Sequence, residues 1–180
     1  MKNNTTKDIV FIGVFAALMA ICSWISSPSA IPFTLQTFAV FLAVGVLGGR
    51  RGTIAVIIYI ILGAVGLPVF SGFTGGPAVL LGNTGGYIVG FIFTALIMWL
   101  FEKCLGHKIW VLALSSLLGL IACYAVGTAW FMFVYTKNVG PESLATVLGW
   151  CVIPFIIPDL IKIVLALLIG TRLSKAINRM

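Results

Sequence analysis

Long apolar runs separated by short polar segments organise this chain. Several runs approach or exceed the roughly 20 residues that a helix needs to cross a bilayer. We predict six helices, over residues 8–25, 35–47, 52–66, 84–105, 109–135 and 143–177. The second and third are short, so they must tilt or be partly re-entrant. The pattern predicts an all-α integral membrane protein in which residues 1–180 form one six-helix transmembrane domain.

The composition supports a membrane location. The 180 residues are 61% hydrophobic and 8% charged, whereas a soluble domain carries about 25% charged residues. We find no soluble domain and no long linker. The four cysteines form no CxxC pair, so neither a metal site nor a disulfide is expected.

The basic residues are spread between the apolar runs. Nine of the 11 Lys and Arg residues lie in four segments of the chain. With six crossings, all four segments lie on the same side of the membrane. This asymmetry predicts that both termini are cytoplasmic. The net charge of +7 therefore indicates topology, and nucleic-acid binding is not expected. The nine residues are Lys2, Lys7, Arg50, Arg51, Lys103, Lys108, Arg172, Lys175 and Arg179.

An alternative interprets the first apolar run and the SSPSA that follows it as a secretory signal with its cleavage site. Removing that segment would leave five crossings and scatter the basic residues over both sides. The six-helix topology therefore accounts better for the charges.

Two segments on the predicted outer side contain no charge: SSPSAIPFTLQT after the first helix and GLPVFSGFTGGPAVLLGNTGGY after the third. Exposed loops are usually polar, so these segments fold onto the protein, onto a ligand or into lipid headgroups. Two interpretations stay open, a pair of interfacial segments and a pair of lids over a pocket that opens outward. Asn83 or Thr84 can cap the fourth helix, and free N–H groups there favour an anion or a carbonyl oxygen.

Asp159 and Lys162 lie inside an otherwise apolar helix, which is costly at membrane depth, at roughly 2.5–3.5 kcal/mol per charge. Positions three apart share a helix face, so the two side chains can pair. Pro154 and Pro158 precede them and interrupt the backbone hydrogen bonds. Either the pair is a structural lock, or it anchors a ligand that offers a donor to Asp159 and a carbonyl or carboxylate to Lys162.

The segments IPFTLQTFAV, GLPVFSGFTGGPAVLLGNTGGY and PFIIPDLIK together resemble BioY, the biotin-specific substrate-binding subunit (S component) of energy-coupling factor (ECF) vitamin transporters. The resemblance covers nearly the whole chain. It implies a multi-pass protein of a prokaryotic cell membrane, in contact with lipid, that binds biotin from outside. It also implies association with a transmembrane coupling subunit and two cytoplasmic ATPases.

The resemblance implies roles for particular residues. Asp159, Lys162 and Asn83 are expected to contact biotin, followed by Gln36 and Tyr87 within the matching segments. Ala16 and Ala20 match the AxxxA spacing that the family uses to dock its partner. The ATP would be hydrolysed by the partner subunits, and this chain has no phosphate-binding GxxxxGK[ST] loop and no expected cofactor of its own.

Three other functions compete with this interpretation. An enzyme would need a nucleophile with a base, a carboxylate pair or a metal site, and the one histidine, His107, lies among charged residues in a predicted cytoplasmic loop. An ATP-independent facilitator or channel would need a continuous polar path, but IVLALLIG follows Lys162. An S component for a different small vitamin is the third alternative.

Overall fold

In a computed structural model, the chain is described over residues 5–27 and 33–177, and within it over the side chains of residues 6–27 and 33–174. These residues form eight α-helices and one 3-10 turn, Ser71–Phe73, with no β-strand in the described ranges. The helices are α1 (Thr5–Trp24), α2 (Gln36–Leu47), α3 (Gly49–Ala64), α4 (Pro77–Leu81), α5 (Gly85–Leu105), α6 (Ile109–Asn138), α7 (Leu144–Cys151) and α8 (Ile153–Ile177).

Four of these helices, α1, α5, α6 and α8, are long and apolar enough to cross a membrane. Helix α2 has 12 residues and α3 has 16, fewer than the roughly 20 that a full crossing needs. Large apolar side chains, such as Val14, Phe93, Ile121 and Ile161, are exposed on all four long helices. The prediction of an all-α membrane protein is confirmed, whereas six crossings stay a prediction.

The predicted helix over residues 143–177 is wrong as one continuous element. Helix α7 ends at Cys151, Val152 leaves helical geometry at φ −125°, and α8 starts at Ile153. Proline has no N–H and restricts the residue before it, so Pro154 is compatible with the first turn of a new helix but poorly with the interior of a continuous one. The break lets α8 start at the level of the cavity described below.

Helices α5 and α6 pack through small residues at four-residue spacing. A Cβ atom placed on Gly86 would lie 2.2 Å from the Trp130 Cβ, and one placed on Gly127 would lie 2.2 Å from the Tyr87 ring. Small residues allow two helix backbones this close approach inside a membrane. A hydrogen bond also joins the two helices, since the Thr94 hydroxyl donates to the Gly119 carbonyl at 2.8 Å.

One end of the bundle collects the charged segments. Arg51 pairs with Asp8 at 3.0 Å. The Glu102 carboxylate accepts from the Gly49 N–H at the start of α3 and lies 2.7 Å from the His107 ring. These contacts join the start of α1, the α2–α3 turn and the α5–α6 turn. We call this the turn end of the bundle.

Candidate ligand-binding cavity

At the opposite end, the helices enclose a cavity of about 170 Å³. Its walls come from α2, α5, α6, α7 and α8, from α4 and from the loop that follows α3. Most of the wall surface is apolar, through side chains such as Phe70, Val79, Ile88, Phe91 and Phe155, and polar side chains are placed among them. This composition is typical of a site for a small, partly apolar molecule.

Asp159 and Lys162 lie in this cavity and are buried. The Lys162 Nζ donates to the Asp159 Oδ1 at 2.8 Å, as the spacing of three residues on one helix predicted. The two charges offset each other, which reduces the cost of holding either one away from water.

Two residues distant in sequence complete the contacts of Asp159. The Thr37 hydroxyl on α2 donates to Oδ1 at 2.8 Å, and the Tyr124 hydroxyl on α6 donates to Oδ2 at 2.6 Å. Hydrogen bonds to an ionised group are shorter and stronger than neutral ones. The carboxylate is therefore held by three helices at once.

Lys162 is equally well surrounded. Besides Asp159, its Nζ donates to the Thr34 carbonyl at 2.6 Å and to the Thr37 hydroxyl at 3.1 Å. The same ammonium lies 4.1 Å from the centre of the Phe33 ring, a favourable cation–π arrangement. An ammonium has three N–H donors, and three acceptors are present.

Gln36 lines the cavity and is buried at the start of α2. Its Oε1 accepts from the Thr34 hydroxyl at 3.0 Å, and its Nε2 donates to the Tyr59 hydroxyl at 2.5 Å. Because an amide nitrogen has two N–H donors, one remains for a ligand.

The other predicted contacts are placed differently. The Tyr87 ring lines the cavity, but its hydroxyl lies 3.2 Å from the Thr128 hydroxyl at the α5–α6 interface. Asn83 is exposed and does not line the cavity. Its neighbour Thr84 does, and Thr84 is the N-cap residue of α5 without a side-chain capping bond.

The loop after α3 covers part of the cavity and is attached at its base. Its Val69 carbonyl accepts from the Ser23 hydroxyl at 2.6 Å and from the Tyr59 hydroxyl at 3.0 Å. Phe70, Ser71 and Thr74 line the cavity. This arrangement fits a lid better than a segment lying in lipid headgroups. The centre of the other uncharged loop, residues 28–32, lies outside the described residues.

The two alanines predicted to dock a partner are buried within the bundle, Ala16 at 2% and Ala20 at 6% exposure. Gly13 and Ala17 occupy the outward face of the same helix. Both pairs have four-residue spacing, so the sequence pattern alone did not separate the inner face from the outer one. Among the described residues there is no cluster of metal-binding side chains, and all four cysteines are free.

Sequence reasoning missed Thr37 and Tyr124. Their contacts with Asp159 span 122 and 35 positions, beyond the reach of helix periodicity. A weak signal existed for Thr37, which lies within the IPFTLQTFAV segment next to Gln36.

A buried charged pair with hydroxyl partners, inside a mostly apolar cavity of a helical membrane protein, defines a membrane-embedded binding protein for a small molecule. The family model described as "BioY family" matches residues 1–179. The chain belongs to the BioY family.

Curated relatives and a solved structure agree with this assignment. The biotin transporter BioY of Thermotoga maritima is 42% identical over 170 residues, covering 94% of this chain and 96% of that protein. The biotin transporter BioY2 of Lactococcus lactis is 34% identical, with 99% and 96% covered. A crystal structure of the S-component for biotin from an ECF-type ABC transporter matches with a TM-score of 0.85 at 31% identity, covering 97% of this chain and 94% of that one.

Proposed function

We propose that this protein is the biotin-binding S component of an ECF-type ABC transporter. The observation that carries the proposal is the buried Asp159–Lys162 pair in a cavity opposite the turn end. Relatives with this family assignment are named biotin transporters. Because they are named transporters, an enzyme is not favoured, and no observation specifically favours a channel or another vitamin.

Biotin has a ureido ring at one end and a carboxylate on an aliphatic tail at the other. A ureido N–H can donate to the Asp159 carboxylate, and the ureido carbonyl can accept from the remaining N–H of Gln36. Lys162 offsets the charge of Asp159. The rings and aliphatic side chains of the wall then cover the apolar part of the ligand.

The partners we propose are a transmembrane coupling subunit and two cytoplasmic ATPases, which would hydrolyse the ATP. In this proposal the protein lies in a prokaryotic cell membrane with the turn end in the cytoplasm, as the excess of Lys and Arg favours. For docking on α1 we favour Gly13 and Ala17, since Ala16 and Ala20 are buried.

Equilibrium binding of labelled biotin to the purified protein in detergent tests the ligand. We expect near-stoichiometric binding by the wild type and a loss of tenfold or more in Asp159→Asn, equivalent to about 1.4 kcal/mol. Asp8→Asn is the matched control, because it removes a carboxylate at the turn end and should bind like the wild type.

If the wild type binds no biotin, the proposed ligand is wrong and a panel of other vitamins follows. Biotin accumulation in cells that lack coupling subunits and ATPases would instead favour the ATP-independent facilitator. Unchanged affinity in Asp159→Asn would make the charged pair a structural lock and place the ligand elsewhere.

A further inference from the structure

The hydrogen-bond donors at the charged pair are already used. Each N–H of Lys162 has an acceptor, namely Asp159, Thr37 and the Thr34 carbonyl. The hydroxyls of Thr37 and Tyr124 both donate to Asp159. What remains is acceptor capacity, on the Asp159 Oδ2 and on the Tyr124 oxygen.

We propose that Tyr124 is a specificity-determining residue of this site, and that the charged end of the cavity recognises N–H groups of the ligand. Resting on the proposed function, this inference assigns the ureido end of biotin to Asp159 and Tyr124. Lys162 then acts as a positioning residue for Asp159, and the biotin carboxylate lies away from the pair. The sequence had allowed a ligand carboxylate at Lys162.

The charges support this orientation. A ligand carboxylate at Lys162 would lie close to Asp159, because the Lys162 Nζ and the Asp159 Oδ1 are 2.8 Å apart. Two anions and one cation would then share a buried space, where like charges repel strongly. The ureido group is uncharged, so the buried site stays neutral when it binds.

The position of Tyr124 explains why the hydroxyl matters. It reaches Asp159 from α6, whereas Thr37 reaches the same carboxylate from α2. With one oxygen of Asp159 occupied by Thr37 and Lys162, Tyr124 fixes the direction of the other. Tyr124→Phe keeps the ring that lines the cavity and removes only the oxygen.

The test is a matrix of two proteins and four ligands, with affinities measured by isothermal titration calorimetry. The proteins are the wild type and Tyr124→Phe. The ligands are biotin, its two analogues with a methyl group on one ureido nitrogen, and biotinamide, in which the tail carboxylate is an amide. Tyr135→Phe is the control variant, since Tyr135 does not line the cavity.

We expect Tyr124→Phe to weaken biotin and biotinamide by the same factor, about tenfold. For one of the N-methyl analogues, the wild type and Tyr124→Phe should bind almost equally, because the methyl group replaces the N–H that Tyr124 and Asp159 recognise. Tyr135→Phe should leave all four affinities unchanged. A merely structural role of Tyr124 would weaken all four ligands alike.

Equal binding of biotin by Tyr124→Phe and the wild type would overturn the proposal, as would equal weakening of all four ligands. If Tyr124→Phe weakened biotin but bound biotinamide as well as the wild type does, the proposal would also be overturned. The biotin carboxylate would then lie at the Asp159–Lys162 pair. If Tyr124→Phe does not fold, the wild-type affinities still test the orientation of biotin. Methylation of one ureido nitrogen should then weaken binding more than amidation of the tail, and the opposite order would overturn the proposal. Failure of the wild type to bind biotin is a separate result, which rejects the proposed function itself.

Discussion

The cavity and the turn end each contain a pair of oppositely charged side chains, and the two pairs are nearly equal in length. Lys162 and Asp159 are 2.8 Å apart with side chains 5% and 4% exposed, whereas Arg51 and Asp8 are 3.0 Å apart at 46% and 32%. The buried pair has hydroxyl and carbonyl partners from other elements. Distance alone therefore says little about what a charged pair contributes, and its surroundings decide.

The largest expected effect comes from breaking the buried pair. Lys162→Met leaves the Asp159 carboxylate buried without its cation, which should lower the free energy of unfolding by about 3–5 kcal/mol. The measurement is unfolding by a denaturing detergent. Arg51→Ala, which breaks the exposed pair, is the matched control and should cost about 0–1 kcal/mol.

Removing both charges sharpens the comparison. The double variant Asp159→Leu with Lys162→Met should be more stable than Lys162→Met alone, since no isolated charge remains buried. It should nevertheless bind no biotin. Equal stability of Lys162→Met and Arg51→Ala would show that burial does not separate the two pairs.

An intermediate effect is expected at Glu102, whose side chain is 20% exposed. Its carboxylate accepts from the Gly49 N–H at the positive end of the α3 dipole. Glu102→Gln keeps the shape and one acceptor but removes the charge, so it should cost about 1 kcal/mol. Thermal unfolding in detergent measures this, with Glu142→Gln, in the exposed segment before α7, as the control that should not change.

The smallest effect is a pH dependence at His107. Its hydrogen bond to the Glu102 carboxylate raises the pKa of His107 above the usual 6.5. A raised pKa in the folded state means that the pair stabilises the fold fully below about pH 6.5 and loses this contribution as the pH rises through the raised pKa. Because the His107 side chain is 40% exposed, solvent screening should keep the contribution below about 1 kcal/mol.

The comparison with His107→Gln isolates that contribution. The stability difference between wild type and variant should shrink as the pH rises from about 6.5 through the raised pKa of His107. A difference that stays constant or grows over this interval would contradict the assignment.

Local patterns in the sequence predicted much of the fold. Apolar runs located the long helices, since membrane length and composition leave few other solutions. The spacing of Asp159 and Lys162 predicted their pairing, because both lie on one helix. The division between α7 and α8 was missed, although Pro154 carried the signal.

What the sequence could not supply depends on packing between distant elements. Thr37 and Tyr124 meet Asp159 only once α2, α6 and α8 are assembled. The inner face of α1 was equally hidden, because this helix is apolar all round and Ala16 and Ala17 differ only in what lies beside them. The family resemblance supplied some of the missing information, because it indicated Gln36 and Tyr87, which line the cavity although no local pattern predicts this.

The buried position of the Phe70 ring limits how the loop after α3 can change in length. Phe70 is 1% exposed, and its ring occupies the space where a side chain at Gly63 would lie, since a Cβ there would come within 2.0 Å of the ring. Surface loops generally tolerate insertions, but the segment between Gly63 and Phe70 has a fixed span. An added residue there would withdraw the ring from α3. The return of the loop is fixed as well, because the Gly76 N–H donates to the Gly63 carbonyl at 2.7 Å. The loop is thus held to a constant length on both sides of Phe70.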